Sequence, residues 1–140
     1  MTTSIGDKGR PGETGAAVKL DYGKAPVFSL FIKYFPYAVI AVTYVSEYGL
    51  RKYNPGGEST GWKEVPDGVN RYGDAAMRHI LKEKIEGLYD DSDSGLAHAA
   101  QAAWNALARL ETLIEKHGLE IRIGNEIKDK KPVLGTAHKI

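Results

Sequence analysis

Three stretches of the chain repeat their apolar positions at the period of an α-helix. From Pro36 onward, Tyr37, Ala41, Tyr44 and Tyr48 fall on one side of a run whose length favours helix over strand despite its β-branched residues. Pro36 suits the first helical turn, where its missing N–H costs nothing. In the second stretch Met77, Ile80, Leu81, Ile85 and Leu88 make an apolar side, and Arg71, Asp74, Arg78 and Lys82 share another face. In the third, Leu96, Ala100, Ala103, Leu107, Leu110 and Ile114 form an apolar row opposite His98, Ala102, Asn105 and Arg109. The pattern predicts an all-α, mainly helical fold. His117-Gly118 is a helix stop, and Leu119 to Ile123 alternates like a short strand.

The punctuation between these stretches refines the picture. Gly49 is expected to bend or interrupt the first helix, leaving Glu47, Arg51, Lys52 and Tyr53 at its polar end. The acidic run Asp90-Asp91-Ser92-Asp93-Ser94 is expected to cap the third helix, since carboxylates and hydroxyls there accept the free N–H groups. A calcium loop starting at Asp90 is excluded because Gln101 stands where a bidentate glutamate is required. Asn54 to Asn70 reads as a long loop around Trp62, whose ring either anchors the loop on an apolar face or stacks on a base. Residues 1–23, with Gly6, Gly9, Gly12 and Gly15 at a period of three, read as a flexible arm too short for a collagen helix. Residues 24–118 then form the helical domain, and 119–140 the short strand and a basic tail from Lys128. The first helix is apolar almost all round, which in a chain this small predicts burial by a second subunit and hence a homo-oligomer.

Composition adds exclusions. At 140 residues the chain is one domain by size, and a net charge of +1 gives no general affinity for extended DNA or RNA. Any anion site must therefore be local. The absence of cysteine rules out disulfides, thiolate metal sites and a cysteine nucleophile. No apolar leader opens the chain, and Val39 to Val45 falls far short of the ~20 residues that span a bilayer. A cytoplasmic protein without a membrane partner is expected.

The sequence lacks a phosphate-binding Gly-x-x-x-x-Gly-Lys loop. It also lacks an adjacent His-Asp pair, because Ile80 follows His79 and Ala99 follows His98. Helical pyrophosphohydrolases of the MazG type hold magnesium with Glu-x-x-Glu followed a helix later by Glu-x-x-Asp, a set of hard oxygen ligands. Glu83-x-x-Glu86 meets the first half, but Ile114 stands three residues after Glu111, so the second half fails. His79 and His98 each admit two readings, general base or packing residue. Asp74 and Arg78, four apart, suit a mutual ion pair. Asn105, inside an alanine- and leucine-rich helix, needs a partner for its amide, either another helix or a ligand edge.

Several of these pieces occur in a fixed order: Gly23-Lys24, Tyr48-Gly49-Leu50-Arg51-Lys52-Tyr53, Trp62, Arg71 to His79, Asp90 to His98, and Ala103 to Glu111. In that order they resemble a phage and prophage family labelled dATP/dGTP diphosphohydrolase, N-terminal domain. Longer members carry a separate MazG-like portion able to supply hydrolytic carboxylates, so the resemblance implies nucleotide binding more directly than hydrolysis. In style the chain is also similar to viral sponge proteins that sequester cyclic nucleotide signals of bacterial defence systems such as CBASS or Thoeris. An infected bacterial host is the setting this implies.

The expected function is therefore sequestration of a phosphorylated nucleotide, a cyclic dinucleotide or related signal, without turnover and without a cofactor. Sites at subunit interfaces would use Arg71, Arg78 and Arg109, with Arg51 or Lys52, as phosphate partners. Tyr48, Tyr53, Trp62 or Tyr72 would stack a base, and Asn105 or His98 would read a base edge or ribose, with Asp74 and His79 in the same motif. The enzyme alternative is a diphosphohydrolase with magnesium held by Glu83, Glu86, Asp90 and Asp93, assisted by His79 or His98. A structural protein whose polar stripes are intersubunit salt bridges is the third reading.

Overall fold

Small residues decide how this chain packs. In the computed structural model, which describes residues 6–54, 56–57 and 61–122, the chain divides into two units, Met1–Pro36 and Tyr37–Ile140. The described part is mainly helical, and it contains no β-sheet. Helix α1 runs Pro36–Tyr53, α2 runs Gly68–Glu86 and α3 runs His98–His117. A short 3-10 turn, Gly61–Glu64, leads into α2. In the first unit, Gly6 N–H bonds Tyr22 C=O at 2.8 Å and Tyr22 N–H bonds Lys8 C=O at 2.9 Å, and a π-helical turn follows at Phe28–Ile32.

Helices α2 and α3 form an antiparallel hairpin. Gly68 of α2 lies near Thr112 of α3, Gly73 near Arg109, and His79 near His98. The buried residues of the pair are mostly short: Gly68 and Ala76 on α2, and Ala100, Ala102, Ala108 and Thr112 on α3, beside the longer Gln101 and His98. A Cβ on Gly73 would stand 3.4 Å from the Arg109 side chain, so the glycine leaves room for that side chain to lie across α2. The bulky apolar side read from the sequence of α2 consequently points outward. Met77 is 56% exposed, Leu81 62%, Ile85 80% and Leu88 65%. Bulky side chains in the seam would hold the axes apart; small ones let them approach, so the helices join by their small and polar faces. Leu107 and Leu110 of α3 are left outside for the same reason.

An aromatic trio fastens the remaining elements. Trp62, Tyr72 and Trp104 meet edge to face with ring centroids 5.6–6.2 Å apart, the geometry ring quadrupoles favour. Trp104 donates its indole N–H to Ser46 Oγ of α1 at 2.7 Å, and Tyr72 donates its hydroxyl to Trp62 C=O. The loop tryptophan is thus seated on the hairpin.

Three local expectations change. Helix α1 continues through Gly49 to Tyr53, because glycine weakens a helix without ending it when the hydrogen-bond ladder is otherwise intact. The acidic run does not cap α3. Ala97 occupies the cap position, and His98 N–H is taken instead by Leu88 C=O at 2.9 Å across a bridge between Tyr89 and Ala97. Residues 119–122 form no strand; Ile123 and the basic tail lie outside the described residues. The helix stop at Gly118 holds, with φ 70°, and Leu119 N–H bonds Leu113 C=O at 3.0 Å across the ending. Among the described residues no helix is long and apolar enough to cross a membrane.

The two glycines make a paired prediction. Gly49 has open space where a Cβ would stand and no positive φ, so Gly49→Ala should stabilise by about 0.5–1 kcal/mol. Gly118→Ala, forced into the left-handed region, should destabilise by about 1 kcal/mol. Thermal midpoints moving by a few degrees in opposite directions would bear this out.

Candidate functional site

The turn between α2 and α3 is drawn closed around Asp90. Its N–H bonds Leu96 C=O at 2.9 Å, and its C=O accepts Gly95 N–H at 2.7 Å and Asp93 N–H at 3.2 Å. Gly95, at φ 75°, supplies the reversal. Clamped in this way the Asp90 side chain turns inward, 2% exposed, against the first turn of α3. Gln101, the residue that excludes a calcium loop, donates its amide to Asp90 Oδ2 at 3.3 Å. Asp90 Oδ1 is buried with no hydrogen-bond partner. An unsatisfied buried polar atom of this kind costs about 1–3 kcal/mol.

Two histidines share this space. His98, fully buried, opens α3, and His79 reaches it from the middle of α2 with Nδ1 3.0 Å from His98 Nδ1. On its far side His98 Nε2 lies 3.2 Å from Glu86 Oε2 in the last turn of α2. With an ionised Glu86 accepting from Nε2–H, the Nδ1 of His98 carries a lone pair and His79 donates Nδ1–H to it. One ligand atom from each of His79, Asp90 and His98 lies within 4.8 Å of the other two, and among the described residues this is the one group of three or more His, Cys, Asp or Glu that converges so. Burial, then repulsion from His98, Lys82 and Arg78, holds the His79 imidazole below its usual range against the attraction of Asp90.

The magnesium carboxylates of the enzyme alternative do not gather. Asp90 faces the histidines, Glu86 bonds His98, and Glu83 lies 4.0 Å from its neighbour Lys84. Asp93 points away toward α1, where it accepts the Tyr48 hydroxyl at 2.7 Å and sits 3.4 Å from Lys52 Nζ. The Tyr48 hydrogen bond, helped by Lys52, holds the Asp93 carboxyl below its usual range.

The other predicted site residues are dispersed. Arg51 pairs with Glu47 at 3.2 Å along α1, and Lys52 stacks over the rings of Tyr48 and Tyr53. Trp62 and Tyr72 belong to the aromatic trio. Arg71 donates to Pro66 C=O at 3.2 Å, while Asp74, Arg78 and Arg109 are exposed. Asn105 finds its partner in its own helix, donating to Gln101 C=O at 2.8 Å. The face bearing Arg71, Asp74, Arg78 and Lys82 therefore stays largely in solvent while His98, Ala102 and Asn105 turn toward the hairpin. A separate hollow at the opposite end of the hairpin, lined by Pro66, Asn70, Thr112 and Lys116, contains none of the histidine cluster. The convergence of His79, Asp90 and His98 was missed in the sequence, since it depends on where the turn sets Asp90; the signal available was that both histidines lie on helices flanking an acidic turn.

Fold and site together define a helical-hairpin protein with ionisable groups buried at its turn. Residues 14–122 match the family described as dATP/dGTP diphosphohydrolase, N-terminal, and the chain belongs to that family. No curated protein and no solved structure matches it.

The depressed His79 imidazole sets a pH dependence. Below about pH 6.5 the unfolded histidine takes up a proton that the folded one resists, so its contribution to stability is complete above that pH and is lost as pH falls through the lower folded value. In chelator-treated protein the melting temperature should fall between pH 7 and pH 5, and His79→Gln should flatten that fall. A wild-type profile that the variant reproduces would contradict the assignment.

Proposed function

We propose that this chain binds a phosphorylated purine nucleotide of the dATP or dGTP class, with the turn end of the α2–α3 hairpin as the point of phosphate contact. The observation that carries this reading is the cluster of buried Asp90 and His98 with half-buried His79 and the more exposed Glu86, flanked on the outer face of α2 by Arg78 and Lys82, within the stretch that matches the diphosphohydrolase family. Buried ionisable groups that do not complete one another's hydrogen bonding are costly to fold, and such groups concentrate at sites of chemistry. The two cations on neighbouring turns of α2 supply a local anion attraction that the near-neutral chain lacks overall.

A second reading, sequestration of a cyclic dinucleotide or related signal without turnover, is favoured by one observation. The four carboxylates suited to magnesium point to different partners, with Asp93 engaged by Tyr48 and Lys52. Purified protein warmed with dATP, dGTP and a panel of cyclic dinucleotides, each with magnesium, distinguishes the readings. Because a ligand stabilises by RT ln(1 + [L]/Kd), micromolar affinity at millimolar ligand is worth about 4 kcal/mol. Stabilisation by dATP or dGTP supports the first reading, and release of monophosphate and pyrophosphate adds catalysis. Stabilisation by a cyclic dinucleotide recovered intact supports the second. No shift with any nucleotide would overturn both.

The same reading includes self-association. Val45, Ala76, Ala100, Ala102 and Ala108 are the buried apolar residues among those described, a core of mostly single methyl groups. Tyr37, Ile40 and Tyr44 of α1 and Met77, Leu81 and Ile85 of α2 are meanwhile more than half exposed. A second copy presenting the same faces is the fitting occupant, since large exposed apolar patches mark association surfaces and a net charge of +1 offers little repulsion between copies. Light scattering should give a mass above the 15.3 kDa of one chain, and Leu81→Lys should reduce it. A monomeric wild-type protein would remove this part of the reading.

A further inference from the structure

We infer that His79, Asp90 and His98 bind one divalent transition-metal ion of the zinc or cobalt class, oriented from behind by Glu86 and Gln101. The geometry is near what such an ion needs. Around tetrahedral zinc, nitrogen ligands at ~2.0–2.1 Å stand roughly 3.3 Å from one another. The two Nδ1 atoms already face each other at 3.0 Å, and one ring nitrogen of each histidine and one Asp90 oxygen lie within 4.8 Å of one another. Small side-chain rotations would place three lone pairs on one point.

The outer contacts favour the same assignment. Ligating histidines commonly give their second ring N–H to a carboxylate, which fixes the tautomer and raises basicity. Glu86 stands where it accepts His98 Nε2–H, leaving Nδ1 free to ligate. Gln101 holds Asp90 by Oδ2, leaving the buried Oδ1 without a partner. An ion would satisfy that orphaned oxygen and take the place of the proton that joins the two imidazoles. Burial keeps His79 neutral, and a shift of its one ring proton from Nδ1 to Nε2 frees the Nδ1 lone pair for the ion.

The donor set selects the metal. Two imidazole nitrogens and one carboxylate oxygen suit borderline ions, whereas magnesium prefers an octahedron of oxygens with several waters. Three protein ligands leave a fourth tetrahedral position for water or a phosphate oxygen. His98 and Asp90 are buried and His79 is only half-buried, so that position is reached from the His79 side of α2.

The test uses the full untagged chain, stripped with chelator, and no nucleotide, so its failure leaves nucleotide binding standing and the reverse also holds. Cobalt(II) is the probe, followed by visible absorption, with zinc(II) added in competition. The expected result is about one ion per chain, a visible band bleached by zinc, and a higher melting temperature with metal. His79→Gln, at a half-buried position, should weaken affinity at least about ten-fold with helix content unchanged, and Asp90→Asn should do the same if it folds. Glu86→Gln should weaken binding less and shift the cobalt band, as expected of a positioning residue acting through His98. A wild-type chain with no cobalt band and no melting shift would overturn the site and leave an internal hydrogen-bond network. Undiminished affinity in His79→Gln would overturn it equally.

Discussion

Two helices can approach closely only where their facing side chains are small, and Gly68, Gly73 and Ala76 on α2 meet that requirement together with Ala102 and Ala108 on α3. This seam settles what is buried. It admits imidazole, carboxylate and amide groups from the polar sides of both helices, because those sides carry the short residues. It leaves Met77, Leu81 and Ile85 of α2 and Leu107 and Leu110 of α3 exposed. The hairpin is therefore closed by a polar cluster at one end and by the Trp62, Tyr72 and Trp104 rings further along, with methyl-sized packing between.

The element pattern was legible in the sequence for reasons that are local. Pro36 fixes a helix start, Gly118 a helix end, and the 3.6-residue repeats the helices between them. Which face of each helix turns inward was not legible, since a row such as Met77, Ile80, Leu81 and Ile85 reads as core by hydropathy alone. Hydropathy measures the cost of exposure; it does not say which neighbour relieves it. The face that turns inward on α2 carries Gly68 and Ala76 instead.

The candidate site divided along the same line. Residue types that attract nucleotides, namely arginine, lysine and tyrosine, were visible, but their partners were set by tertiary contacts: Tyr48 by Asp93, Arg51 by Glu47, Asn105 by its own helix. The acidic run was read as a helix cap because carboxylates near a helix start usually serve that role. Here a backbone bridge satisfies the first N–H of α3, which frees Asp90 to turn inward. The histidines were singled out individually; their 3.0 Å meeting follows from the antiparallel register, which no local signal encodes.

The cluster at the turn also has a mechanical link to α1. His79 and Glu86 come from α2, His98 from α3, and Asp90 from the turn, so their spacing depends on how that turn is held. The turn is held twice. Asp93 N–H bonds Asp90 C=O at 3.2 Å, fixing the backbone that carries the buried carboxylate. The Asp93 side chain bonds Tyr48 and Lys52 on α1, at 2.7 and 3.4 Å. Exposed ion pairs are worth little alone, but here a hydroxyl and an ammonium share one carboxylate, and the geometry they set reaches the cluster through a single backbone contact. Helix α1 carries much of the bare apolar surface of the larger unit, including Tyr37, Ile40 and Tyr44. The helix that bears that surface is thus joined, through Tyr48 and Asp93, to the turn that carries Asp90.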